Sequence, residues 1–349
     1  MNTVFAKRLL NARKIRCMSQ RDLSAITAGQ VSPTAIAKYE KGLMMPSSSV
    51  LILLSKALNF KPDYFFRPFT IPINHDAFEF RKSATIGAKK VEAIKHLVCA
   101  QIENYIEIES LLNLSTTFSL DYNNVIVESE SDARNLANQL RTDLNVGLDA
   151  IVSAVDLLEN AGVKILEIDF DDKFSGTCNV AGGVPVIVIN QNMLPERKRL
   201  TIFHELGHIL MRFADGADIE KLCNVFAIEV LIPSCKLKEL IGEQRHDISL
   251  VELQAIQREY GVSVDDLMEK AHQLNIISDK RYTTFYKKKN AIPQFNVSVA
   301  QSIFLEREHT NRYERLVYRA LASEIISFSK AAALLNTSVD TVRDNLNLM

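Results

Sequence analysis

The sequence predicts a mainly α-helical chain with one small β-sheet, an α+β protein of several domains. Three observations carry this: apolar residues recur at helical spacing along most of the chain; only Val163 to Phe170 and Val184 to Asn190 run in strand-like, β-branched tracts; and 349 residues exceed what one core usually organises. Hydrophobic residues make up 47% and charged residues 24%, with no apolar run of about eighteen residues, which excludes a membrane-spanning bundle, a disordered chain and a fibrous repeat. Near the start, Lys7 and Arg8 flank a short apolar stretch without a long apolar segment or a small-residue cleavage site, so a cytoplasmic protein without membrane contact is expected. Cys17, Cys99, Cys178, Cys223 and Cys235 are scattered and form no Cys-x-x-Cys pair, which argues for free thiols.

The net charge of −1 hides an asymmetry: residues 1–67 carry eleven Lys and Arg against three Asp and Glu, a local +8, and the remainder carries −9. A compact basic module is the electrostatic footprint of nucleic-acid binding, because neutralising phosphates releases counterions. The spacing predicts five short helices over 4–14, 19–27, 32–41, 47–57 and 62–66. Ser19 with Asp22 three residues on, Ser32 before Pro33, Gly42, and Pro46 with Ser47 punctuate them. Two short helices joined through Ala28, Gly29 and Gln30 make a helix-turn-helix, whose second helix can enter a major groove.

On Arg8-Leu9, Met18-Ser19-Gln20, Leu23, Val31 to Ile36, Tyr39 to Gly42 and Pro46-Ser47, this segment resembles the Xre (Cro/CI-type) helix-turn-helix family. The resemblance implies that Gln20 and Lys41 touch phosphates and that Ser32, Pro33, Thr34 and Lys38 face the groove of a double-stranded operator. It further implies a core of Leu23, Ile36, Leu51, Leu54 and Leu58, and, with paired half-sites, a homodimer. The stretch from Leu23 to Val31 is about two residues longer than the family's usual turn.

Thr201-Ile202-Phe203-His204-Glu205-Leu206-Gly207-His208-Ile209-Leu210 reads as a helix with two histidines one turn apart on one face. Both imidazoles can reach one Zn2+ ion, and Glu205 beside them can take a proton from a water. Gly207 between the histidines lets another backbone come close. A catalytic zinc needs a third protein ligand. The helix predicted over Asp218 to Pro233 offers Glu220, with Asn224 one turn on to hydrogen-bond a ligand from behind; Asp218, Cys223 and Glu229 are rivals to Glu220.

On Arg199 to His208 and on Glu220-x-x-Cys223-Asn224-x-Phe226-Ala227-x-Glu229-x-Leu231-Ile232-Pro233, the middle of the chain resembles the ImmA/IrrE metallopeptidases. Ala133 to Arg141, Val163 to Ile165, Phe174 to Gly176 and Val186 to Asn190 extend the likeness. It implies a zincin-like domain with one zinc held by His204, His208 and Glu220, and Glu205 as general base. Cys223 stands where that family more often has alanine, and Leu222 where glutamate is common.

The expected organisation is a five-helix DNA-binding domain (1–67), a linker with a long helix (68–124), a zinc peptidase domain (125–245) and a helical C-terminal regulatory or interaction domain (246–349). Pro68 and Pro72 mark the linker, followed by Phe78 to Lys82 and a helix over 87–113 that serves a dimer or packs on the peptidase; 114–127 reads as irregular. Gly182-Gly183 marks a hairpin whose exposed strand can pair with a peptide. Helices are expected over 249–260, 263–274, 312–323 and 327–346, the last broken at Asn336 to Ser338, with Lys287 to Lys289 in a solvated loop. Tyr260 and His272 are the titratable candidates for an oxyanion role. The function expected is a DNA-binding regulator with a zinc endopeptidase that cleaves a repressor or antitoxin-like protein on a stress cue. The alternative is a non-enzymatic antitoxin-like repressor whose zinc domain senses or binds a partner.

Overall fold

The computed structural model describes residues 2–69, 87–114 and 118–347, apart from 119, 121, 123, 124, 171–173, 182 and 307. Pro72, the Phe78 to Lys82 stretch and Gly182 lie outside the described residues. In chain order the elements begin with α1 (Asn2–Ile15), α2 (Gln20–Ile26), α3 (Pro33–Glu40), α4 (Ser48–Leu58), a 3-10 helix (Pro62–Phe66) and α5 (Ala88–Leu111). They continue with β1 (Ile126–Val127), α6 (Glu130–Asp143), α7 (Ala154–Asn160), β2 (Lys164–Ile168), β3 (Gly176–Ala181), β4 (Val184–Asn190), α8 (Pro195–Leu210), β5 (Arg212–Phe213) and α9 (Ile219–Leu231). The remainder is helical: α10 (Ser234–Ile241), α11 (Leu250–Tyr260), α12 (Val264–Gln273), α13 (Asp279–Ala291), α14 (Pro293–Ala300), α15 (Arg312–Ala322), α16 (Phe328–Leu334) and α17 (Val339–Asn347). The chain is mainly helical with small sheets, as the sequence predicts.

These elements gather into two compact units, residues 1–115 with 311–349, and residues 116–310. Of the 246–349 segment expected as one C-terminal domain, α11 to α14 belong with the second unit, and α15 to α17 with the first. The physical reason is where their apolar faces are covered. Ile256, Tyr260, Leu267, Met268 and Phe285 enter the same core as Phe203 and Phe226. In the first unit the Tyr313 ring packs tilted against Tyr105 of α5 at 5.5 Å, and Arg312 pairs with Glu109 at 3.1 Å.

In the first unit, local capping sets the helix starts. Ser19 and Asp22 form a reciprocal capping box, Ser32 caps α3 ahead of Pro33, and Ser47 caps α4. Phe5, Leu9, Leu23, Ile36, Leu54, Leu58 and Phe65 are fully buried and Leu51 packs against them. Between α2 and α3 the chain turns through Ala28 (φ 53°) and Gly29 (φ 72°), two successive left-handed residues, and this accommodates the extra length seen in the sequence. Helix α5 packs on α1 and α15; Arg8 of α1 makes a bidentate pair with Glu103 (2.6 and 2.7 Å) while donating to the carbonyls of Arg67 and Pro68.

In the second unit β4 lies centrally, parallel to β2 and antiparallel to β3, so β3 is an edge strand. A separate two-stranded parallel sheet joins β1 to β5. Helix α8 crosses the three-stranded sheet and packs on α9. Lys287 to Lys289 lie within α13 rather than in a loop, where Lys289 pairs with Asp265 at 2.5 Å and Lys288 stands 4.3 Å from the Phe295 ring centroid.

Residues 302–306 and 308–310 strap the N-terminal half of α8. Glu196 accepts from Ser302 Oγ, Gln257 and the Ile303 and Phe304 amides, and Lys198 donates to the Glu308 carbonyl. Arg199 and Glu308 are both completely buried and pair at 2.5 Å; Glu308 also accepts from the amides of Ala154 and Val155 that open α7, and Arg199 donates to the carbonyls of Ile151 and Tyr260. Removing one partner of a buried pair strands the other's charge, so Glu308→Ala is expected to cost about 3–5 kcal/mol. Denaturant unfolding should show that loss, and the double change Arg199→Met with Glu308→Leu should recover most of it.

Candidate metal centre and nucleic-acid face

Helix α8 begins at Pro195, favoured at a first helical position, and runs to Leu210 with Leu200, Ile202, Phe203, Leu206 and Leu210 buried. This amphipathic pattern turns His204, Glu205 and His208 to the partly exposed side. Helix α9 opposes it with Cys223, Phe226 and Val230 fully buried. The two helices approach closely because residue 207 has no side chain: a Cβ there would lie 2.9 Å from Met211 Cε, 3.2 Å from Phe226 Cδ1 and 3.4 Å from Cys223 Sγ.

The approach brings three donors from two helices together. His204 Nε2 and His208 Nε2 are 3.1 Å apart, and the Glu220 carboxylate oxygens stand 3.2 Å from the first and 3.5 Å from the second. Among the described residues this is the one group of three or more His, Cys, Asp or Glu with ligand atoms close enough to share an ion. Tetrahedral zinc with bonds of about 2.0–2.1 Å has ligand-to-ligand edges of about 3.3 Å, so these separations fit the ion without rearrangement. Burial pushes His204 below the usual histidine range and outweighs the opposite pull of Glu220, which favours the neutral imidazole, the form that binds a metal.

Behind the donors, His204 Nδ1 lies 2.9 Å from Asn224 Oδ1, and His208 Nδ1 lies 3.2 Å from Cys223 Sγ. The rivals to Glu220 lie elsewhere. Asp218 caps α9 by accepting from the Lys221 amide at 3.2 Å. Glu229 is buried against Lys270 at 2.6 Å and accepts from Ser234, tying α9 to α10 and α12. Cys223 meets the far nitrogen of the His208 ring. Sequence reasoning had no signal for the Glu229–Lys270 pair, because its members lie on separate helices.

Glu205 is half-buried one residue from His204, with Cγ 3.4 Å from the position a Cβ on Gly176 would take. That Cβ would also lie 2.6 Å from Thr201 Cγ2 and 3.1 Å from the Val188 carbonyl, so only glycine lets the start of β3 rest against this face of α8. Tyr260 is buried in the core, and His272 stacks on Tyr282 at 4.2 Å while contacting Asp279 at 2.6 Å; neither belongs to the donor cluster.

On the first unit, Ser32, Thr34 and Lys38 of the α3 segment and Lys41 are exposed, and Pro33 is half-buried beside them. The Ser32 hydroxyl accepts from the Ala35 amide at 3.2 Å. Gln20, expected at a phosphate, donates its amide to Glu40 at 2.7 Å, and Glu40 also accepts from Nε and Nη2 along one edge of the Arg13 guanidinium.

With this geometry in place, comparison with known proteins identifies the class. The chain matches the helix-turn-helix family over residues 9–65 and the family described as IrrE N-terminal-like domain, a peptidase family, over residues 158–271. Over those residues it carries an Xre-type helix-turn-helix domain, a DNA-binding type found in transcription regulators, and an ImmA/IrrE-like, peptidase-like domain. None of the curated proteins matches the chain. No helix among the described residues is long and apolar enough to cross a membrane.

Gly176→Ala is expected to cost about 1–3 kcal/mol through overpacking against Thr201 and the β4 backbone. Thermal unfolding checks this, and an unchanged midpoint would show that β3 does not press on α8 as described.

Proposed function

We propose that this chain is a sequence-specific DNA-binding regulator whose second unit is a zinc-dependent endopeptidase acting on a regulatory protein such as a repressor or antitoxin-like partner. The observation that carries it is the convergence of His204, His208 and Glu220 donors beside Glu205, at donor spacings that suit zinc. A scaffold that only bound a partner would have no need of a carboxylate at position 205.

His204, His208 and Glu220 would hold the ion, and Asn224 fixes the His204 ring by accepting its Nδ1 proton, which leaves the Nε2 lone pair for the metal. Bound zinc supplies Lewis acidity toward the scissile carbonyl and lowers the pKa of a water. Glu205 takes a proton from the attacking water and passes it to the leaving amine. Strand β3, paired on one side by β4, turns its other edge toward an extended substrate segment, so backbone pairing lays the peptide beside Glu205.

Purified protein is expected to carry one zinc per chain by elemental analysis, lost in His204→Ala and Glu220→Ala. Glu205→Gln should keep the zinc and lose hydrolysis by at least about 100-fold, the lower end of what a general base contributes. A Glu205→Gln protein that cleaves its natural target at the wild-type rate would sink the endopeptidase assignment and leave the partner-binding alternative.

The exposed Ser32, Thr34 and Lys38, with half-buried Pro33, face the major groove of a double-stranded operator, Lys41 and Gln20, its amide also held by Glu40, reach phosphates, and a homodimer places two such heads on paired half-sites. Lys41→Ala is expected to weaken duplex binding about equally across sequences and to reduce the slope of log affinity against log salt by about 1. Thr34→Ala should instead alter sequence preference. Binding assays at several salt concentrations separate the two, and a flat salt response in the wild type would contradict phosphate contact by residues 1–67.

A further inference from the structure

Taking the zinc site proposed above as its basis, we infer that Cys223 is a positioning residue for the metal: its sulfur accepts the Nδ1 proton of His208 and so turns the Nε2 lone pair of that ring toward the ion. A neutral imidazole carries one proton on two nitrogens, and the partner of one nitrogen decides the chemistry of the other. His208 Nε2 faces His204 Nε2 at 3.1 Å and Glu220 at 3.5 Å, whereas Nδ1 faces Cys223 Sγ at 3.2 Å. Were the thiol to donate to Nδ1, the proton would sit on Nε2 and block the metal. The metal-binding tautomer therefore requires sulfur as the acceptor.

The arrangement belongs to one turn of α9. Glu220 supplies a ligand, Cys223 backs His208, and Asn224 backs His204, so both histidines are oriented from the helix that carries the third donor. Gly207 lets the two helices approach here, because a Cβ there would stand 2.9 Å from Met211 Cε and 3.2 Å from Phe226 Cδ1, with the sulfur in ordinary contact at 3.4 Å. Cys223 is fully buried, so solvent does not readily take the place of the thiol. The geometry also separates positioning from ligation: a sulfur that approaches the nitrogen on the far edge of the ring is held away from the ion by the ring itself.

The test is zinc affinity of the full-length protein, measured by chelator competition for the wild type, Cys223→Ala and Cys223→Ser, with His204→Ala as the control for the site. Loss of such an orienting partner typically lowers metal affinity 10–100-fold, which is the change expected for Cys223→Ala, while Cys223→Ser, which keeps an acceptor, should stay within several-fold of wild type. Cobalt substitution adds a readout that packing alone would not move: the wild type should show no sulfur-to-cobalt charge-transfer band, and its ligand-field spectrum should change in Cys223→Ala. Should Cys223→Ala fold poorly, the serine variant and the cobalt spectrum of the wild type still decide. Equal zinc affinity in wild type and Cys223→Ala would overturn the positioning role, and a charge-transfer band lost in Cys223→Ala would make the cysteine a ligand instead. If the wild type binds zinc no better than His204→Ala, the metal site itself fails, an outcome distinct from both.

Discussion

The close passage of α8 over α9 is the constraint on which the second unit's site depends. The Glu220 carboxylate, the Asn224 amide oxygen and the Cys223 sulfur, which face the histidines, all come from one stretch of α9. Those groups reach the rings because Gly207 removes a side chain from the seam and because Phe203, Leu206, Phe226 and Val230 fill the space around it. A cavity or an overpacked side chain in that seam would be felt as a shift of donor atoms, since packed interiors transmit volume changes. The fold thus delivers the donors at separations close to those zinc imposes, so little ordering is left for binding to supply.

Buried charge fixes how distant segments meet around this seam. Arg199 joins Glu308, and Lys270 joins Glu229; in the first unit, Arg8 joins Glu103. A buried ion pair adds little net stability compared with apolar residues, but an uncompensated charge is costly, so each pair penalises any packing that separates its members. Arg199 lies five residues before His204 and anchors the strap, the α7 start and the α11 end to the helix that carries the histidines. In the first unit, Glu103 and Glu109 of α5 receive Arg8 from α1 and Arg312 from α15, which draws the C-terminal helices to the same body as the helix-turn-helix domain.

Features set by neighbours in the sequence were the readable ones. Ser19, Ser32 and Ser47 state where helices start, since a cap acts within three residues, and the four-residue spacing of His204 and His208 puts them on one face wherever that helix lies. The spacing of Glu220 and Asn224 on one turn likewise pointed to the side of α9 that meets the histidines. What could not be read depends on partners far along the chain: that Glu229 is occupied by Lys270, that Lys287 to Lys289 continue a helix stabilised by Asp265 and Phe295, and that α15 packs on α5. Gln20 shows the same limit on a smaller scale, since its amide is held by Glu40 across a tertiary contact that spacing does not reveal.

The central claim is that two imidazoles from α8 and one carboxylate from α9 hold a single metal with room for a water. The most direct measurement is an anomalous difference map at the zinc edge from crystals of the zinc-loaded protein. The account predicts one peak per chain, at about 2.0–2.2 Å from His204 Nε2, His208 Nε2 and a Glu220 oxygen, with the remaining position facing solvent beside Glu205. A peak bonded to Cys223, or to acidic residues away from α8 and α9, would contradict it.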